Sequence, residues 1–215
     1  MSDKKSDIKI GYIYLISLAV IITDQIVKML VHFNMTLGSS GQIKILGDFF
    51  KLHYLRNFGM AFGLDLPFEH GKILLTIFRI VAMFIIAVYI YKSTLKGAHK
   101  GFLICVGLIL GGAVGNLIDS IFYGPLFGIY EPGSPTPWFY GGVVDMFYID
   151  IWEGEIFGRY MSLWPVFNIA DASIFISICI ILIWQRRFFP EEDKSNSSVA
   201  KPDHQPETST SGDTG

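Results

Sequence analysis

Phe167-Asn168-Ile169-Ala170-Asp171 opens an apolar run that continues through Ile174, Phe175, Ile176 and Ile178 to Trp184. The run is long enough to cross a bilayer as a helix. Asn168 and Asp171 stand three residues apart and so share one helical face. A carboxylate inside such a span costs about 2.5–3.5 kcal/mol even on the milder insertion scale. It calls for a partner, a water-filled cavity or chemistry.

Outward from this stretch, three more apolar runs cover about residues 10–33, 72–91 and 101–123. Of the 215 residues, 51% are hydrophobic and 17% charged, which excludes an ordinary soluble domain. The expected fold is an all-α membrane protein: four transmembrane helices, a small extracytoplasmic β-sheet and a long outer loop. The first run resembles the start of a signal peptide. It is longer than an h-region, however, and carries Asp24 and Lys28, so it reads as a retained helix. A formal net charge of -2 gives no sign of nucleic-acid binding. Cys105 and Cys179 lie inside apolar runs and read as packing residues. The five histidines show no metal-ligand spacing.

Between the first two spans, Ile43-Lys44-Ile45 and Phe50-Lys51-Leu52-His53-Tyr54 alternate in the strand period and suggest a sheet at the membrane surface. Residues 124–165 are rich in Gly, Pro and aromatics, too broken to span and suited to the interface. Residues 191–215 are rich in Ser, Thr, Pro and Asp and are expected to be a disordered cytoplasmic tail, which leaves residues 1–190 as one domain.

Basic residues set the orientation. With four spans, Lys4, Lys5 and Lys9, then Lys92, Lys96 and Lys100, then Arg186 and Arg187 fall on one side, the cytoplasmic one, together with both termini. At 1.5 Å rise per residue, Asp24, Lys28, Arg79, Asn116, Asp119 and Asp171 then lie within about 6–12 Å of the outer helix ends. The polar residues converge on one site near the extracytoplasmic surface.

Each has a plain alternative. Asp24 and Lys28, spaced i,i+4, make a structural ion pair. Arg79 snorkels or neutralises Asp24. Asn57 and Asn116 are hydrogen-bond glue between elements, and Asp119 is a solvated carboxylate at a helix end. Gly107, Gly111 and Gly115 form a packing stripe. Asp145, in Val143-Val144-Asp145-Met146-Phe147, is either a surface loop carboxylate or a group that dips back toward the bundle. Asp171 has no cation within one turn. Three classes stay open on physics: a proton- or ion-coupled transporter using buried carboxylates, a structural membrane protein, and a hydrolase in which two carboxylates share a proton. The inner halves of the spans lack a polar lining and no inverted repeat is visible, which weighs against transport.

Five motifs then occur in order: Asp24-Gln25-x-x-Lys28, Asn57-x-Gly59-x-Ala61-Phe62, Gly111-Gly112-Ala113-x-Gly115-Asn116-x-x-Asp119, Val143-Val144-Asp145 and Phe167-Asn168-x-Ala170-Asp171. Together they closely resemble the lipoprotein signal peptidase (signal peptidase II) family. The resemblance implies an aspartic endopeptidase of the bacterial cytoplasmic membrane, acting on prolipoproteins that carry a diacylglyceryl group on cysteine and cleaving just before it. By motif, Asp145 and Asp171 match the catalytic pair. Asn57, Asn116 and Asn168 match surrounding polar residues, and Asp24, Lys28, Gly59 and Asp119 match supporting positions. Lipid-modified prolipoproteins and membrane lipid are the implied partners, nucleic acid is not, and a monomer is expected. The resemblance implies neither a metal nor an organic cofactor. Two departures stand out. The family commonly has Arg after the third-motif Asp, where this chain has Ser120, so that contact is absent or comes from Arg79 or Arg159. The segment between Asp119 and Asp145 also looks longer than usual.

Overall fold

A computed structural model describes residues 9–59, 71–156 and 159–190. The proposed tail, residues Met60 to Phe62 and the Arg159 side chain lie outside the described residues. Helix α1 spans Ile10–Asn34, α2 Gly71–Leu95 and α3 Lys100–Ile118; α3 runs on through a π-helical turn at Asp119–Tyr123 into α4, Gly124–Phe127. The apolar helix α5 covers Ile169–Ile183, and one further turn, α6, covers Gln185–Phe188. Three helices, Ile10–Asn34, Gly71–Leu95 and Lys100–Phe127, are long and apolar enough to cross a membrane. The fourth expected run yields a shorter helix than its apolar composition suggested. Phe167 pairs with Phe147 in a β-bridge and Asn168 is an N-cap, so helix starts only at Ile169.

Helix α3 is the hub and packs against α1, α2 and α5. Its span is 61% buried, against 17% for α1 and 11% for α2, whose large side chains face outward. Glycines permit the close approach. A Cβ on Gly111 would lie 2.8 Å from the Ser17 carbonyl oxygen on α1, and one on Gly112 would strike the Ala170 carbonyl on α5. Leu15, Leu18, Ile22, Ile26 and Leu30 on α1, and Phe78, Phe84 and Ile85 on α2, are exposed, the apolar exterior a lipid-facing bundle requires.

Two clusters mark the ends of the bundle. Ile13, Ile90, Phe102, Leu103, Val106 and Leu110 pack with Phe188 near the α2–α3 connector, the end that carries Lys92, Lys96, Lys100, Arg186 and Arg187. Val31, Tyr54, Tyr123, Ile129, Val144 and Met146 close the opposite end against an antiparallel sheet. That sheet has the order β1 (Ile43–Leu46), β2 (Phe50–Asn57), β3 (Val143–Ile149). The first two strands match the alternation in the sequence. The third lies in the segment expected to be loop. Its side chains are buried on both faces, so the pattern reads as an unbroken apolar run rather than an alternating one. A separate hairpin pairs β4 (Glu153–Ile156) with β5 (Arg159–Ser162).

Candidate active site

The site is assembled where β3 meets the start of α5. Met146 and Phe147 both donate backbone N–H to the Phe167 carbonyl (3.1 and 2.8 Å), and Phe167 returns one to Phe147 (3.0 Å). These bonds fix the residue before the helix to the strand that carries Asp145. Asn168 then caps α5. Its Oδ1 accepts from the Asp171 N–H (2.9 Å), while Asp171 Oδ2 accepts from the Asn168 N–H (3.3 Å). This reciprocal capping box satisfies two end donors and sets the Asp171 rotamer.

The Asn168 amide bridges the two carboxylates' surroundings. It donates to Asp145 Oδ1 (2.7 Å) and to Asn116 Oδ1 (3.1 Å). Asn116 Nδ2 in turn donates to Asp171 Oδ1 (2.8 Å). Asp145, paired across the sheet with Leu55, is 3% exposed rather than a surface loop group. Burial pushes its pKa up to about 7, the Asp171 charge adds to the rise, and Lys28 with the Asn168 and Asn57 hydrogen bonds opposes it. Asn168 thus contacts both Asp145 and Asp171, and its amide joins the strand carboxylate to the helix carboxylate. Asp171 also lines an apolar cavity of about 390 Å³ walled by Ile149, Trp164, Phe167, Phe175 and Ile176.

Beneath the pair lies a fully buried ionic layer. Lys28 Nζ is 2.8 Å from Asp24, 2.8 Å from Asp119 and 2.8 Å from Asn116 Oδ1. Asp24 accepts from the Ala170 N–H (2.9 Å), a first-turn donor of α5 that has no helical partner. Asp119 accepts from the Val144 N–H (3.3 Å). Each carboxylate thus grips the backbone one residue before Asp171 or Asp145, and Lys28 holds both grips. The expected Asp24–Lys28 pair is present. Asp119 is not a solvated carboxylate at a helix end: it is fully buried because Lys28 and Gln25 Nε2 (2.8 Å) replace its hydration.

Asn57 turns β2 out of the sheet. Its Oδ1 accepts from the Gly59 N–H (2.8 Å), its side chain lies near enough to Asp145 to favour that carboxylate's charge, and Gly59 takes φ +108°, which favours glycine. Arg79 does not reach Asp24. It donates to Ser120 Oγ (2.7 Å), which donates to the Asn116 carbonyl (2.9 Å), and it lies within electrostatic range of Asp171, Asp119 and Asp145. A guanidinium from α2 therefore stands at the position where the sequence lacks Arg after Asp119. All nine candidate residues lie in or beside this one constellation. Sequence reasoning gave no role to Gln25, Tyr123 or Ser120. The Tyr123 hydroxyl donates to Gln25 Oε1 (3.0 Å), and only the placing of Gln25 within the first motif hinted at it.

The family described as Signal peptidase (SPase) II matches residues 16–187. A lipoprotein signal peptidase of Amoebophilus asiaticus is 44% identical over 186 residues, covering 83% of this chain and 79% of that one. One from Porphyromonas gingivalis is 37% identical over 182 residues, covering 76% and 77%. A solved bacterial membrane enzyme, determined by the in meso method at 2.3 Å, superimposes with a TM-score of 0.58 at 26% identity, covering 90% of this chain and 98% of that one.

Proposed function

Because the chain belongs to the signal peptidase II family, we propose that it is an intramembrane aspartic endopeptidase that removes signal peptides from diacylglyceryl-modified prolipoproteins. The observation that carries this reading is the meeting of Asp145 and Asp171, from a strand and a helix far apart in sequence, under one asparagine bridge. Asp145, the more deeply buried carboxyl, is the protonated partner and polarises the scissile carbonyl. Asp171, less buried, is the base that takes a proton from the attacking water. Water oxygen adds to the carbonyl carbon, and a tetrahedral intermediate forms. Its collapse breaks the C–N bond as the proton held by Asp171 passes to the leaving amine nitrogen. Asn168 and Asn116 hold the two carboxyls in register through both steps.

In this reading α5 is the fourth span, both termini are cytoplasmic, and the sheet with the dyad faces the extracytoplasmic side of the inner membrane. The basic residues at the opposite end of the bundle support that orientation. The apolar cavity beside Asp171 suits acyl chains or a signal-peptide helix arriving laterally from lipid. The test is cleavage of a diacylglyceryl precursor peptide by purified protein in detergent, where no gradient exists. Asp145→Asn and Asp171→Asn each lower the rate by about 10²–10⁴-fold while the protein still inserts. Wild-type turnover by either variant would defeat the dyad assignment.

A further inference from the structure

Helix α2 presents two cations to the site. Arg79 is engaged by Ser120. Lys72, two turns earlier on the same face, is not. It is 3% exposed, and its Nζ has no hydrogen-bond partner among the described residues. The first turn that carries it is held firmly. Thr76 Oγ1 donates to the Lys72 carbonyl (3.0 Å) and to the Phe139 carbonyl (2.9 Å), and Phe139 is itself a non-glycine residue at φ 67°. The lysine stem passes Gly59, where a Cβ would lie 3.7 Å from Lys72 Cδ. Gly59 closes the turn begun by Asn57, whose side chain lies near Asp145. The stem therefore lies beside the Asn57–Gly59 turn, and its ammonium is within electrostatic reach of the Arg79 cation and of Glu131, Asp119 and Asp145.

A buried ammonium with open donors is costly, and α2 carries one in its first turn, beside the turn that holds Asn57. The surrounding carboxylates repel an added anion but not a neutral oxygen acceptor. The proposed substrate class carries such acceptors: the ester carbonyls of the diacylglyceryl group and the peptide carbonyls that flank the scissile bond. We propose that Lys72 is a substrate-binding residue whose ammonium donates to a carbonyl oxygen of the lipid-modified precursor. The proposal rests on the peptidase reading above and adds a polar anchor on α2, across the site from the asparagine bridge.

The experiment compares wild type with Lys72→Met, which keeps the stem and removes the donors. Two lipopeptides are used in detergent, one with ester-linked chains and one with ether-linked chains that lack carbonyls. On the ester substrate, Lys72→Met raises KM about tenfold, the worth of one charge-assisted hydrogen bond, with kcat changed far less. Its melting temperature is no lower than wild type, because a buried unpaired charge has gone. If the acceptor is an ester carbonyl, wild type shows the same KM rise on the ether substrate and the substitution adds nothing there. If it is a peptide carbonyl, the substitution raises KM equally on both. An unchanged KM, with or without a lower melting temperature, overturns the proposal. Cleavage by wild type with an indifferent Lys72→Met defeats only the Lys72 assignment, whereas a wild type that cleaves neither lipopeptide defeats the peptidase reading itself.

Discussion

Asp145 holds a proton up to about pH 7 because it is buried and faces the Asp171 charge. The sign of the resulting pH dependence is the reverse of that for a salt-bridged carboxylate. A carboxyl whose pKa rises on folding binds its proton more tightly in the folded state. Its contribution is most favourable below the ordinary value of 3.8 and is lost as pH climbs through about 7. Asp145→Asn, which carries no titrating proton, should therefore gain thermal stability over wild type as pH rises from about 4 to 7, and the two should converge below that window. Melting curves in detergent across this range check it. Over the same range kcat should fall as pH passes about 7, where the shared proton leaves. The two dyad members were unequally legible. Asp171 announces itself as a carboxylate in an apolar run with no cation near it in sequence. Asp145 does not, because its burial depends on pairing with Leu55, which no local pattern encodes.

Among the elements, the helices were legible because their apolar runs are long, and β1 and β2 because they alternate. Strand β3 was not, since Val143, Val144, Met146 and Tyr148 are all buried and a two-sided strand has no alternation to detect. Helix α5 starts two residues after the opening Phe167 of its apolar run for a tertiary reason, the bridge between Phe167 and β3. The ionic layer was half legible. The i,i+4 spacing shows Asp24 with Lys28, whereas the second carboxylate arrives from α3. That arrangement makes Lys28 the least replaceable of the three. Lys28→Met leaves Asp24 and Asp119 buried and facing each other, and should cost about 3–5 kcal/mol of stability. It should also loosen Ala170 and Val144, the backbone neighbours of the dyad, so that kcat falls even in molecules that remain folded. Thermal denaturation together with turnover per folded molecule separates these effects. Equal stability of Lys28→Met and wild type would show that the layer does not hold the bundle.

At the scale of the molecule, the site and the basic residues occupy opposite ends of the bundle, with α3 running between them. Residues 191–215, beyond Pro190, are rich in Ser, Thr, Pro and Asp. Truncation there should leave turnover within about twofold of wild type, and a protease-cleavable tag at the new end should be cut only from the cytoplasmic face. Loss of activity on truncation would contradict this. The short α5 has a consequence for the surrounding lipid. Its 15 residues rise about 22 Å, less than a hydrocarbon layer of about 30 Å, and Asp171 sits in its first turn. As the fourth span proposed above, α5 would require the bilayer to thin locally along this one side, a hydrophobic mismatch that lowers the headgroup boundary toward the carboxylates. Reconstituted into vesicles of increasing acyl-chain length, the protein should slow as the membrane thickens, and thin bilayers should be its most permissive solvent.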